Sequence, residues 1–300
     1  SLEGSVPIDD RCWIFTHLQK CGGTTVKGIL EASFTNQYDI YDSPHWKRGN
    51  RNLQTVGSKL AGSNALKVIA GGYPEALRYS SAVAEKCQWF TMFRHPIPRM
   101  VSAYYYCMKS QGDAACGSMI VKAKEVDLVT FAKHWGNFAL RQFALGLVPV
   151  DDVLQYARTD AVRAQVPSMS EVSGWYLLKM YLDDQARASE HVEIPDVSMY
   201  EMLQPVQDLL RDRYTVGILE EFNTTLSLFD ATLKLPGVDW HKQFTSEGRL
   251  QVDTQYLDEE AASLADAWTN SEIKKYMALD LVLYEHAVDV FHQQARAYGL

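Results

Sequence analysis

The sequence has no long hydrophobic run, no internal repeat and no low-complexity tract. None of its apolar stretches reaches the roughly 18 residues that a membrane-spanning helix needs, so we expect no membrane contact. Hydrophobic residues make up 47% and charged residues 22% of the 300 positions, which is typical of a globular protein. No stretch resembles a flexible linker, which favours a single domain.

Positive charge is scarce, since 29 basic residues are outnumbered by 37 acidic ones and the formal net charge is −8. A field of that sign repels polyanions, which argues against nucleic acid as a partner. Short basic clusters occur at residues 47–51, at Lys122 and Lys124, and at Lys274 and Lys275. We expect each cluster to be a solvated face rather than a binding site.

The five cysteines form no Cys-x-x-Cys pair and no nearby histidine completes a zinc set, so we predict no metal site. An odd count leaves at least one thiol outside any disulfide. Cys107 and Cys116 flank a polar loop. They would pair in an oxidising compartment and stay reduced in a reducing one, and the sequence leaves both alternatives open.

Short apolar runs alternate with segments of helical period. The runs predict buried strands at Cys12–His17, Leu66–Ala70, Gln88–Phe93 and Tyr214–Leu219. Helical spacing predicts helices at Thr24–Ala32, Met100–Cys107, Leu128–Gly146, Val172–Ala188, Tyr200–Asp212, Phe222–Leu233 and Ile273–Ala295. This order predicts an α/β fold, with a central parallel sheet flanked by helices. The polar stretches Asp39–Asn64 and Asp151–Ser170 are expected to be irregular. Residues 1–5 are typical of a cloning remnant, which leaves residues 6–300 as the domain.

A glycine-containing loop follows the first predicted strand and runs directly into a helix. It reads Leu18-Gln19-Lys20-Cys21-Gly22-Gly23-Thr24-Thr25. Glycines let backbone N–H groups surround an anion, and the helix amino terminus adds partial positive charge. Lys20 precedes the glycines, whereas the lysine of a nucleoside triphosphatase P-loop follows them. The loop is therefore predicted to bind a phosphate-like anion as a P-loop does, although its lysine is placed differently. Alternatively, the segment is only a tight turn followed by a helix cap.

A second polar segment follows the third predicted strand. Arg94 stands at the carboxyl end of that strand, where ligands bind in open α/β sheets. Pro96 and Pro98 lead into a helix whose first turns contain Ser102. A guanidinium and a hydroxyl so placed suit a phosphate dianion. The alternative is that Arg94 binds backbone carbonyls and Ser102 faces its own helix.

Taken in order, these segments resemble the sulfotransferases that depend on 3′-phosphoadenosine 5′-phosphosulfate (PAPS), most closely the carbohydrate 2-O- and 6-O-sulfotransferase branch. Residues 17–25 are similar to the family's 5′-phosphosulfate loop and residues 94–106 to its 3′-phosphate motif. Residues 137–143, 214–222 and 278–284 resemble its Asn-x-x-x-Arg-Gln helix, a later strand and its terminal helix. The resemblance implies PAPS as co-substrate, 3′,5′-phosphoadenosine phosphate (PAP) as product, and no metal.

The resemblance also implies a role for each matching residue. The 5′-phosphosulfate would be held by Lys20, Cys21, Gly22, Gly23, Thr24 and Thr25, and the 3′-phosphate by Arg94 and Ser102. Arg141 and Gln142 would line the site, or else make local bonds on a helix surface. His45 and Tyr73 are expected near the acceptor. Lys20 would also stabilise charge on the leaving group.

The largest departure from the family follows the second strand. The carbohydrate enzymes carry a histidine there as general base, and this chain has Gly72 instead. His17, Glu75 and His45 are the candidate replacements. An acceptor such as a phenol, with a pKa near 10, would need little help from a base.

These features predict sulfuryl transfer from PAPS to a hydroxyl, phenol or amine of a small molecule, peptide or neutral glycan. A glycosaminoglycan O-sulfotransferase is one alternative, which the net charge of −8 disfavours. A catalytically inactive PAPS- or nucleotide-binding protein is the other, because Gly72 cannot act as a base. The Golgi lumen is the expected location if a membrane anchor has been removed upstream, and the cytoplasm otherwise. The sequence does not indicate an oligomeric state.

Overall fold

A computed structural model describes residues 12–33, 39–42, 67–71, 87–109, 122–144, 147, 197–241 and 257–300. The chain forms two compact units, each assembled from separate stretches of sequence. The first unit contains residues 1–93, 209–251 and 287–300, and the second contains residues 94–208 and 252–286. That residues 6–300 act as one domain stays a prediction.

The first unit is built on a parallel sheet of five strands in the order β2-β3-β1-β4-β5. The strands are β1 (Cys12–Thr16), β2 (Asp39–Asp42), β3 (Lys67–Gly71), β4 (Gln88–Phe93) and β5 (Tyr214–Ile218). β1 is central, and Ile14 lies opposite Ile69 of β3 and Trp89 of β4. The chain adds strands first on one side of β1 and then on the other. The loop after β1 therefore stands at the switch point of the sheet, where such folds bind ligands.

Both faces of the central strand are buried. Trp13 and Phe15 pack in one apolar cluster with Leu30 of α1 (Gly23–Ser33) and Phe229 of α6 (Phe222–Leu233). Successive strand residues point to opposite faces, and Ile14 is also fully buried. Burial on both faces explains why β1 reads as a continuous apolar run rather than an alternating one.

The second unit is helical within the described residues. Its helices are α2 (Pro96–Lys109), α3 (Leu128–Trp135), α4 (Phe138–Ala144), α7 (Leu257–Thr269) and α8 (Ser271–Tyr276). Two longer helices, α5 (Val197–Arg213) and α9 (Ala278–Ala297), contribute residues to both units. Short 3₁₀ turns occur at Ala123–Glu125 and Leu219–Glu221. No helix in the described ranges is both long and apolar enough to cross a membrane.

A disulfide joins Cys12 and Cys87 at the amino-terminal ends of β1 and β4. These strands pair with Trp13 opposite Gln88, so the two cysteines stand at the preceding position of the same register. Cys107 is also disulfide-bonded, and its partner lies outside the described residues, so a pairing with Cys116 stays a prediction. Cys21 keeps its thiol, whose Sγ donates to the carbonyl oxygen of Gln19 at 3.7 Å.

The predicted α/β class and parallel sheet are confirmed, and all four predicted strands are present within one residue at each end. The prediction of an irregular Asp39–Asn64 is wrong at Asp39–Asp42, which forms β2. A strand of four residues at the sheet edge is too short to give a clear periodic signal. The predicted helix Val172–Ala188 and the stretch Asp151–Ser170 lie outside the described residues.

Two predicted helices are each divided in two. The helix Leu128–Gly146 is interrupted at Gly136 and Asn137, because Asn137 has a left-handed φ of 53° that a helix interior does not allow. Gly136 lies so close to the carbonyl oxygen of Tyr276 that a side chain there would clash. The last helix is interrupted at Met277, and α9 starts afresh at Ala278. Helix α7 was not predicted from the sequence.

Candidate functional site

The loop after β1 begins at His17 and ends where α1 starts at Gly23. Lys20 has a φ of 63° and Gly22 a φ of 77°. A left-handed backbone costs glycine nothing, but it strains lysine, and strain of this kind concentrates at binding sites. The N–H groups of Thr25 and Val26 both donate to the carbonyl of Gly22, at 3.0 and 3.3 Å. The helix therefore starts immediately after the turn, and its amino-terminal N–H groups stand beside Lys20.

Both glycines of the loop are closely packed. A Cβ at Gly22 would lie 2.6 Å from Cε of Met92 and 2.8 Å from Cδ1 of Leu219, in addition to the strain of its positive φ. A Cβ at Gly23 would overlap the imidazole of His17. The loop thus fits tightly against the ends of β4 and β5, and neither glycine places a side chain between its backbone and a ligand.

His17 forms the base of this loop. Its ring stacks on Phe15 with the centroids 5.9 Å apart and also lies against Gly23. Burial, assisted by the charge of Lys27, lowers the pKa of His17 from 6.5 to about 4. The imidazole is therefore neutral at physiological pH, which leaves it able to accept a proton but makes it a weak base.

Thr24 and Thr25 are the second and third residues of α1, so their hydroxyl groups start from the helix end that faces the loop. Thr24 is exposed and Thr25 is half-buried. Cys21 is buried, and its thiol is directed to the carbonyl oxygen of Gln19. The structure thus gathers His17 and Lys20–Thr25 around one turn.

The second unit contains the segment with Arg94 and Ser102. Arg94 directly follows β4, α2 starts at Pro96, and Ser102 lies in its second turn; both residues are half-buried. His95 lies between Arg94 and the start of α2. Its Nδ1 accepts the N–H of Ile97 at 3.3 Å, which is the capping role that an aspartate performs at a helix amino terminus.

The ring of His95 is itself held by aromatic side chains. Its centroid lies 4.4 Å from that of Trp268 in α7 and 5.1 Å from that of Tyr284 in α9. His95 therefore caps α2 and also packs against two aromatic rings. Both aromatic partners are distant from His95 in the chain, so the sequence does not indicate these contacts.

Arg141 and Gln142 lie within α4, whose residues are all buried. Arg141 is 0% and Gln142 1% exposed, and Nη1 of Arg141 donates to the carbonyl of His134 at 3.3 Å. Arg141 and Gln142 therefore belong to the core of the second unit. The expectation that they make local bonds on a helix surface is wrong. Their contact with a substrate stays a prediction.

Three predicted site residues, His45, Tyr73 and Glu75, and also Gly72, lie outside the described residues. Within the part of the chain that the structure describes, no group of three or more histidine, cysteine, aspartate or glutamate side chains is placed to hold a metal ion. The Cys12–Cys87 disulfide was missed, although each cysteine adjoins the start of a predicted strand. Finding it requires knowing that these two strands are neighbours.

One protein family resembles part of this chain. The family model described as "Sulfotransferase family" matches residues 8–143, which is slightly less than half of the chain and includes both polar segments. The match is consistent with a sulfotransferase. A comparison with curated proteins found no significant match.

Proposed function

We propose that the protein transfers a sulfuryl group from PAPS to a hydroxyl group of an acceptor. The observation that carries the proposal is the loop after β1, where a left-handed Lys20 and two closely packed glycines run into a helix amino terminus. Such a turn suits an anionic group with several acceptor oxygens. The match of residues 8–143 to the sulfotransferase family supports sulfate as part of that group.

The residues present fit PAPS as donor. Lys20 and the backbone of Cys21, Gly22 and Gly23 would hold the 5′-phosphosulfate, with Thr24 and Thr25 adding hydroxyl donors. The resemblance assigns the 3′-phosphate to Arg94, which precedes α2, and to Ser102 in its second turn. A guanidinium group and a hydroxyl group are hydrogen-bond donors that suit a phosphate dianion.

In the reaction, the bond between sulfur and the 5′-phosphate oxygen breaks and a bond from sulfur to the acceptor oxygen forms. Negative charge grows on the leaving phosphate, where the ammonium group of Lys20 would stabilise it. The acceptor hydroxyl loses its proton to a base. His17 is neutral and adjoins the loop, so it can accept a proton, although its pKa of about 4 makes it a weak base. Glu75 and His45 remain further candidates.

The acceptor is proposed to be a small molecule, a peptide or a neutral glycan. The net charge of −8 opposes a long polyanion such as a glycosaminoglycan, which needs a cationic groove. The resemblance to the carbohydrate branch is the reason to include glycans. An inactive PAPS-binding protein is the second candidate, and Gly72 is the feature that favours it.

The disulfides favour an oxidising compartment. Cys12 and Cys87 are joined, and Cys107 has a disulfide partner as well. Disulfides of this structural type persist in the secretory pathway and are rare in the cytosol. We therefore favour the Golgi lumen over the cytoplasm as the place of action.

Titration calorimetry with PAP and adenosine 5′-monophosphate tests the donor assignment. The two ligands differ in the 3′-phosphate, so the protein should bind PAP much more tightly. Arg94→Ala should weaken PAP binding by about 2–4 kcal/mol, because it removes a charged hydrogen-bonding partner. Equal affinity for both nucleotides would remove the sulfonucleotide proposal.

A further inference from the structure

Arg99 stands between Arg94 and Ser102 in the sequence and is almost wholly buried. Its side chain is 1% exposed, and Nη2 donates to Oδ2 of Asp280 at 2.9 Å. Its Cζ lies 5.2 Å from the ring centroid of Trp135 and 5.0 Å from that of Phe138. Burial prevents Arg99 from touching a ligand, so any role in a site must act through other residues.

Asp280 connects Arg99 to two helix ends. Its carboxylate accepts the N–H groups of Ala139 and Leu140, at 3.0 and 2.9 Å, in the first turn of α4. Asp280 itself lies in the first turn of α9. A carboxylate at helix amino termini is favoured by the partial positive charge there.

Asn137 completes the arrangement from the opposite side. Its Oδ1 accepts the N–H groups of Leu279 and Asp280, at 3.0 and 3.1 Å, so Asn137 caps α9 while Asp280 caps α4. We call Arg99, Asn137 and Asp280 the polar clamp. Because its members are buried and share their hydrogen bonds, the removal of one leaves the others incompletely paired.

The polar clamp is connected to both residues of the 3′-phosphate motif through α2. The N–H of Arg99 donates to the carbonyl of His95 at 3.1 Å, which closes the first turn of α2 next to Arg94. Ser102 lies three residues further along the same helix, one turn from Arg99. Asp280 and Tyr284 are one turn apart in α9, and Tyr284 packs on His95.

We propose that Arg99 and Asp280 are positioning residues that fix the first turns of α2, and with them Arg94 and Ser102, for the 3′-phosphate of the donor. The inference rests on the proposed function, since it assumes that Arg94 and Ser102 bind the 3′-phosphate. Preorganised donors lose little entropy when they bind a ligand. A displacement of binding groups by about 1 Å can lower a reaction rate about 100-fold. Loss of the polar clamp should therefore weaken recognition of the 3′-phosphate selectively.

The test measures dissociation constants for PAP and adenosine 5′-monophosphate in the full chain and in Asp280→Asn and Arg99→Lys. Asp280→Asn keeps the shape and removes the charge that holds Arg99. The ratio of the two affinities should fall by about tenfold or more in Asp280→Asn, and by less in Arg99→Lys, which keeps a cation. The affinity for the monophosphate should change little.

Tyr105→Phe is the matched control in the same helix. It removes the hydrogen bond that the Tyr105 hydroxyl donates to the carbonyl of Glu259 and the one between that hydroxyl and Ser263 Oγ, but it leaves the polar clamp intact. It should lower the melting temperature without changing the affinity ratio. If folded Asp280→Asn keeps the wild-type ratio, or if Tyr105→Phe lowers it equally, the polar clamp does not position the motif.

Failure of the proposed function gives a different result. The wild-type protein would then not prefer PAP, and both proposals fall together. If Asp280→Asn does not fold, Arg99→Lys decides the question, because an unchanged ratio in that variant contradicts the role of the guanidinium. Far-ultraviolet circular dichroism establishes that each variant is folded before binding is measured.

Discussion

The imidazole of His17 lies against Gly23 in the space that a side chain at residue 23 would occupy. His17 ends the segment leading out of β1, and Gly23 begins α1, so this contact sets how the chain turns between them. The turn places Lys20 and the first N–H groups of α1 together. The His17 ring therefore leaves no room for a side chain at residue 23, and a side chain at residue 23 would displace the ring.

Substitution of Gly23 by alanine should destabilise the protein. The new methyl group would overlap the His17 ring and displace it or the loop, at a cost of about 1–3 kcal/mol for overpacking. Urea unfolding measures the change in the free energy of unfolding, and calorimetry with PAP should show weaker binding.

Gly28→Ala is the control within the same helix. Outside the helix's own backbone, no atom lies within 4 Å of a Cβ at this position, so alanine should stabilise α1 by up to about 1 kcal/mol. Gly23→Ala should cost less stability when it is introduced into the His17→Ala variant than when it is introduced into the wild type, because the ring that it overlaps is then absent. Equal effects of Gly23→Ala and Gly28→Ala would mean that the His17 contact is not tight.

The lowered pKa of His17 predicts a specific pH dependence of stability. Burial, followed by the charge of Lys27, lowers the pKa from 6.5 to about 4, so the unfolded chain binds more protons than the folded one in that interval. The contribution of the neutral ring is fully present above pH 6.5 and declines as the pH falls towards 4. As the pH is lowered from 6.5 to 4, the free energy of unfolding should fall more steeply for the wild type than for His17→Asn. Parallel curves would contradict the burial of a neutral histidine.

Lys20 should matter more for turnover than for binding of the product. Lys20→Ala removes the charge expected on the leaving phosphate, so turnover should be abolished while PAP binding is weakened but retained. Lys20→Gly should be equally inactive but more stable than Lys20→Ala, because glycine adopts the φ of 63° without strain. Near-normal turnover of Lys20→Ala with saturating PAPS would show that another cation stabilises the leaving group.

The central strands and the loop after β1 were predictable because their signals are local. Phe222–Leu233 was predicted to the residue, since a continuous apolar period marks it and turn residues close it. The breaks at Asn137 and Met277 were not, because both depend on contacts across about 140 residues of chain, such as Asn137 with Leu279. The roles of His95 and Arg99 were missed for the same reason. Distant partners leave no periodic trace in a single sequence.

The Cys12–Cys87 disulfide should stabilise the first unit. It closes a long stretch, with a sequence separation of 75 residues, between the two strands that precede the polar segments. Cys12→Ser should lower the free energy of unfolding by about 2–4 kcal/mol, and Cys87→Ser by the same amount. Peptide mapping without reductant should recover the two cysteines in one linked pair. Recovery of both as free thiols in protein from an oxidising host would contradict the pairing.

Transfer of sulfate is the most direct test of the whole account. The protein is incubated with radiolabelled PAPS and a panel of phenols, alcohols, amines, peptides and neutral glycans, with a glycosaminoglycan included and Lys20→Ala in parallel. The account predicts label in an acceptor outside the glycosaminoglycans with the wild type, and none with Lys20→Ala. Absence of label from every acceptor, although the protein prefers PAP to adenosine 5′-monophosphate, would favour an inactive PAPS-binding protein. Absence of both label and that preference would contradict the assignment as a PAPS-dependent sulfotransferase.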